Sequence, residues 1–171
     1  MIGLILYIGT HAPSAGNLQE WEFVVVEEDD KKAALSAAAL DLMHLKVAPA
    51  IIVICADVRK AALKYGKRGE LVYAIEDASA CATLMGLAAN ALGLGFDFVK
   101  GFDEDEVRNI LNLPENLRPL ILMPVGYSRG QKEERKINPF ENITHVNSYD
   151  QKIDIDFEPV YNMIMDRVKK K

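Results

Sequence analysis

The chain has 171 residues with 20 basic and 25 acidic side chains, a formal net charge of −5, which argues against a general nucleic-acid or membrane-surface role built on positive charge. Half of the residues are hydrophobic and 26% are charged, an ordinary globular composition, and the length suits one domain (1–171) with 150–171 as a C-terminal extension. Cys55 and Cys81 lie in apolar runs without C-x-x-C or Cys/His spacing, so they read as buried thiols of a reducing compartment. No run approaches the roughly 18 apolar residues of a membrane span, and the apolar opening lacks a basic n-region and a cleavage site. A cytoplasmic protein is the expectation.

In chain order, Ile2–Ile8 reads as the end of a helix that stops before Thr10-His-Ala-Pro13. Phe23–Val26 is β-branched and bounded by polar residues, a strand. Lys31–Leu45 is Ala- and Leu-rich behind the acidic run Glu27–Asp30, which suits one helix with a negative N-terminus. Ala50–Ala56 is continuously apolar and is expected to be a strand buried on both faces. Arg59–Arg68 is basic and unassigned. Val72–Leu92 reads as the longest helix, small and apolar on nearly every side, with Gly93 as its stop. Phe96–Val99 follows as a short strand. Asp103 and Glu106 form a capping-box-like start to a helix ending near Leu113-Pro114. Leu120–Val125 is a strand in which Pro124 suggests an edge or bulge. The chain then turns polar and closes with an amphipathic helix over Val160–Val168. Without regular βαβα alternation this is α+β, one central sheet with helices packed round it.

Familiar catalytic signals are absent. There is no G-x-G-x-x-G and no serine nucleophile elbow, and Gly66-Lys-Arg-Gly69 lacks the frame of a P-loop. His11, His44 and His145 have no ligand spacing, so no metal site is expected. The informative stretch is Ala12-Pro-Ser-Ala-Gly-Asn-Leu-Gln-Glu-Trp-Glu-Phe-Val-Val-Val26. Pro13, Ser14 and Gly16 force a tight turn. Asn17 and Gln19 then present amides that are both donors and acceptors, which suits a heterocycle edge such as a flavin's or a purine's. Trp21 and Phe23 would anchor the turn to the core. A plain helix-to-strand turn capped by Ser and Asn accounts for the same residues.

This stretch resembles the A-P-S-A-G-N-x-Q-P-W-x-F/I-V-V signature of the nitroreductase family of flavin mononucleotide enzymes. Glu76–Ala82 through Ala91-Leu-Gly-Leu-Gly95 is similar to the family's long core helix and its G-L-G ending. Val99-Lys-Gly-Phe-Asp103 resembles the strand and loop over the flavin, and Asp105–Pro114 with Met123-Pro-Val-Gly-Tyr127 the closing helix and strand. The resemblance covers roughly residues 5 to 145. It implies a nitroreductase-like α+β fold with a central, mostly antiparallel sheet and a homodimer with two FMN sites at the subunit interface. It further implies an oxidoreductase that takes a hydride from NAD(P)H (NADH or NADPH) and reduces nitroaromatic, quinone or similar acceptors. Under it, Ser14, Ala15, Asn17 and Gln19 line the flavin site from the subunit opposite the rest. Val99, Lys100 and Gly101 sit at the ring, where a backbone N–H reaches the reactive N5, and Arg135 and Lys136 match a basic pair that meets the phosphate or ribityl chain. No side chain is assigned as a catalytic acid or base.

Two departures stand out. The family pattern opens with an R-R-S-x-R-x-F segment whose arginines bind the flavin phosphate, and this chain starts about where that segment ends. Charge-assisted phosphate bonds are strong, so their loss weakens FMN unless Arg59, Lys60, Lys64, Lys67 or Arg68 substitutes, or unless Met1 is a late start. The signature's Pro is Glu20, which is expected to add negative charge near an anionic cofactor. These departures motivate the alternative, a homodimer of the same fold that binds flavin weakly or not at all and serves as a binding or structural module. A helix over 72–92 that is apolar all round also wants cover from a partner.

Overall fold

Alternation along one strand organises the molecule. β2 (Ala50–Asp57) is apolar from Ala50 to Ala56, and each of those residues is at most 2% exposed. Ile52, Ile54 and Ala56 join one apolar core, while Ile51, Val53 and Cys55 join another on the opposite face. That split is what period-2 side chains produce when a strand is covered on both sides.

The computed structural model describes residues 1–128, 136–153 and 162–163, grouped into two units, Met1–Arg129 and Gly130–Lys171. In the first unit β1 (Trp21–Val26) pairs antiparallel with β2, β2 with β4 (Leu117–Gly126), and β4 with the two-residue β3 (Gly95–Phe96). The sheet order is β1-β2-β4-β3. On one face lie α1 (Ile2–Gly9), α4 (Val58–Arg68) and α5 (Ala74–Ala91), contributing Ile5, Ala61 and Ala78, Cys81, Ala82 and Met85. The other face is covered by α2 (Asp29–Ala38), α3 (Met43–Val47) and α6 (Glu104–Leu111) through Leu35, Leu45 and Val107. The expected α+β arrangement is observed.

Small residues let α1 lie close on α5. A Cβ on the buried Gly9 would stand 2.5 Å from Met85 Cγ and 3.1 Å from Cys81 Sγ. Away from the sheet, Leu4 and Tyr7 of α1 and Leu87 of α5 are exposed, so α5 is buried along one face rather than all round. By length and composition the continuous helical stretch Val58–Ala91 could cross a membrane, which corrects the expectation that no run could; its apolar face packs on the sheet as part of the core.

Several expected elements change in detail. The single helix over 31–45 is two, because Leu40 and Asp41 take left-handed φ of 58° and 57° and break it. The basic segment is helix α4, capped by Asp57 Oδ1 accepting from the Lys60 N–H at 3.0 Å and kinked at Gly66. A π-turn, Gly69–Tyr73, leads into α5, and Gly93 follows it with φ +75°. The strand over 96–99 is β3 plus an isolated bridge from Val99 to Leu122. β4 is an inner strand. Its irregularity lies where Ile54 pairs with Ile121 but Cys55 with Pro119, so Leu120 is the extra residue and Pro124 sits in regular register. Asp103 caps α6 by accepting from the N–H groups of Asp105 and Glu106, at 3.0 and 2.9 Å.

In the second unit α7 (Phe140–Ile143) is followed by a bridge between His145 and Lys152. Apart from 162–163, the helix expected over 160–168 lies outside the described residues.

Candidate functional site

The turn between α1 and β1 puts three of its residues in the left-handed region. Gly16, Asn17 and Gln19 take left-handed φ of 54°, 57° and 50°, a region open to Gly and tolerated by Asn. A Cβ on Gly16 would collide with the Tyr65 hydroxyl. The Gln19 N–H donates to Ser14 Oγ at 3.0 Å, and Gln19 Nε2 donates to Asn17 Oδ1 at 2.9 Å. Asn17 and Gln19 are both exposed, so their remaining amide valences face outward. Trp21 and Phe23 join the apolar core behind them.

Two helices hold the turn from beneath. The Ala15 N–H donates to Asp77 Oδ2 in the first turn of α5, at 2.8 Å. From α4, Lys64 Nζ donates to the Gly16 carbonyl at 2.9 Å and Lys60 Nζ to the Gln19 carbonyl at 3.2 Å. Of the five α4 cations, then, Lys60 and Lys64 stand at the turn. Arg59 pairs instead with Glu115 at 2.8 Å, Arg68 donates to the Tyr73 hydroxyl at 3.0 Å, and Lys67 is exposed.

Glu20 does not behave as an added surface charge. It is 2% exposed, and among the described residues neither carboxyl oxygen has a hydrogen-bond partner. Burial first, and the neighbouring Asp77 carboxylate next, push its pKa up, opposed by its own backbone and by Lys60. The sequence flagged Glu20 as a departure but gave no sign that it points inward, nor that Asp77 is its neighbour.

Val99, Lys100 and Gly101 lie at the opposite edge of the sheet. Val99 is buried, and its N–H and C=O both bond Leu122, at 3.0 and 2.9 Å. Lys100 and Gly101 are exposed, and a Cβ on Gly101 would meet nothing within 4 Å. Their N–H groups carry no hydrogen bond among the described residues, leaving two adjacent donors on exposed residues without a protein partner. Because β1 is one edge and Val99 flanks β4 at the other, three strand spacings, about 14 Å across the sheet, lie between this segment and β1, which the Ser14–Gln19 turn precedes. Within one chain the two segments lie toward opposite edges of the sheet.

The sequence pattern of the Nitroreductase family matches residues 1–48 and 43–127. The chain belongs to the nitroreductase family. Its relatives include an Archaeoglobus fulgidus protein named as an NADH dehydrogenase/NAD(P)H nitroreductase, 32% identical over 133 residues, covering 75% of this chain and 73% of that one. A Bacillus subtilis FMN reductase (NADPH) is 24% identical over 164 residues, covering 88% of this chain and 66% of its own. The crystal structure of a nitroreductase family protein from Streptococcus pneumoniae TIGR4 superposes with a TM-score of 0.79 at 25% identity, covering 85% and 88% of the two chains. As a nitroreductase family member the chain is an oxidoreductase with the nitroreductase fold.

The remaining features of this family member are less telling. A cleft of about 340 Å³ lies between α3 and the ends of β3 and β4, where His44 Nε2 stands 3.2 Å from Asp97 Oδ2. No sequence motif marked it. Cys55 and Cys81 are buried, and burial pushes both thiols up to about 12, so neither is a nucleophile at neutral pH. Among the described residues no cluster of His, Cys, Asp and Glu could hold a metal. Lys136 is exposed in the second unit, and Arg135 lies outside the described residues.

Proposed function

We propose that this nitroreductase family member is an FMN-dependent oxidoreductase that oxidises NAD(P)H and reduces a nitroaromatic, quinone or similar acceptor. The observation that carries this reading is the pair of adjacent, exposed residues Lys100 and Gly101, whose N–H groups have no protein partner among the described residues, with open space where a Cβ on Gly101 would stand. Two adjacent backbone donors with no side chain above Gly101 suit the close approach of a flat ring bearing acceptor atoms. The turn supplies the complementary chemistry: exposed amides at Asn17 and Gln19 match a ring edge of mixed donors and acceptors. FMN, when bound, supplies the two-electron chemistry that links NAD(P)H to the acceptor.

The chain's own residues then bind and orient. Lys100 and Gly101 donate backbone N–H groups to the ring. Ser14, Ala15, Asn17 and Gln19 border it from a second copy, since in one chain the two segments lie toward opposite edges of the sheet. That separation and the exposed Leu4, Tyr7 and Leu87 on α1 and α5 support a homodimer. Lys60 and Lys64 add positive charge at the turn, and Arg135 and Lys136, the basic pair implied by the sequence resemblance, are taken to meet the phosphate or ribityl chain.

The test is steady-state turnover with saturating FMN. NADH or NADPH consumption that depends on an added quinone or nitro compound is the expected result. No turnover with either nucleotide and any such acceptor would contradict the proposal.

A further inference from the structure

Glu20 is a buried carboxyl with both oxygens unbonded among the described residues, set directly beneath the turn. The groups that face it are the Asp77 carboxylate from α5 and the Lys60 ammonium from α4. On its strand side the Asp57 N–H donates at 2.7 Å to the Glu20 backbone carbonyl, not to its side chain. Lys60 Nζ is engaged with the neighbouring Gln19 carbonyl. Ionising Glu20 out of water beside a second carboxyl is costly. Asp77 accepts the Ala15 N–H at 2.8 Å, whereas neither Glu20 oxygen finds a partner among the described residues. Burial and the Asp77 carboxylate thus favour the protonated form of Glu20.

We propose that Glu20 is a positioning residue: neutral, it lies quietly against Asp77 and lets Asp77 hold Ala15, and ionised, it repels Asp77 and frees the Ser14–Gln19 turn. The place where the signature carries Pro thus becomes a proton-controlled latch on the turn. Raised titration of Glu20 by burial and by Asp77 accords with this. Its consequence for cofactor affinity rests on the function proposed above; its consequence for the turn does not.

The experiment uses the full chain without added flavin. Trp21 is the only tryptophan, adjacent to Glu20 and 8% exposed, so its emission reports on the turn while infrared difference spectra follow the protonated carboxyl band. The wild type should lose that band and shift its Trp21 emission at a pH above the ordinary glutamate value of 4.5. Glu20→Gln, isosteric and always neutral, should abolish both changes. In Asp77→Asn the transition should move down toward the ordinary range. A Trp21 transition that persists unchanged in Glu20→Gln, or a carboxyl band lost already in the ordinary range, would overturn the proposal.

FMN affinity is then measured across the same pH range. It should fall by up to tenfold per pH unit above the transition in the wild type and stay flat in Glu20→Gln. A flat profile in both would overturn the link to cofactor binding. If neither protein binds FMN at any pH, the functional reading fails, and the Trp21 titration still decides the role of Glu20.

Discussion

At the scale of single residues, the Ser14–Gln19 turn is confined by its neighbours: Gly16→Ala puts a Cβ into the Tyr65 hydroxyl at a positive φ, so it should cost about 1–3 kcal/mol, read as a lower urea midpoint. Pro13, Ser14 and Gly16 announce a tight turn by their backbone chemistry, and the left-handed φ at Gly16, Asn17 and Gln19 is its realisation. The support of the turn was not legible, because the bond from Ala15 to Asp77 spans 62 positions and no local pattern encodes a contact of that range. Glu20 gives a signed pH dependence. Its folded pKa is raised, so its contribution to stability is complete below the ordinary glutamate value and is lost as pH rises through the folded value. Glu20→Gln should therefore unfold at higher urea than the wild type on the alkaline side of that transition, with the advantage shrinking toward acid pH; an advantage independent of pH would contradict this.

At the scale of elements, the buried strand β2 was legible because a run with no polar residue must be covered on both faces. Its neighbours were harder to read. The break between α2 and α3 falls at Leu40 and Asp41, where no Gly or Pro signals a turn. The place of Pro124 on an inner strand depends on β3 being only two residues long. The contact of α1 with α5 is a matter of space at Gly9. Gly9→Val forces atoms into Met85 and Cys81 and should cost about 1–3 kcal/mol, lowering Tm by about 2–4 °C per kcal/mol for a chain of this size. Cys55 and Cys81, with thiols pushed up to about 12, should resist iodoacetamide at pH 8 in the folded protein and react at once on unfolding. Labelling of either in the native state would mean that the cores of the two faces open readily.

At the scale of the whole molecule, the proposed function takes the turn and the Val99–Gly101 segment as one site, and the sheet order, which sets them toward opposite edges, is the reason the proposal draws them from two chains. Neither edge alone offers both the ring donors and the bordering amides. Mixing subunits tests this directly. Gly16→Val and Gly101→Val homodimers should each lose FMN, whereas co-expressed heterodimers should recover one intact site of their two; no recovery would place both segments' roles within a single chain. The most direct measurement of the central claim is a spectrophotometric titration of the purified protein with FMN, on the acid side of the Glu20 transition. Saturation at one FMN per chain, with a flavin spectrum that stays with the protein through gel filtration, is the expected result. A protein that remains colourless at saturating FMN would contradict it.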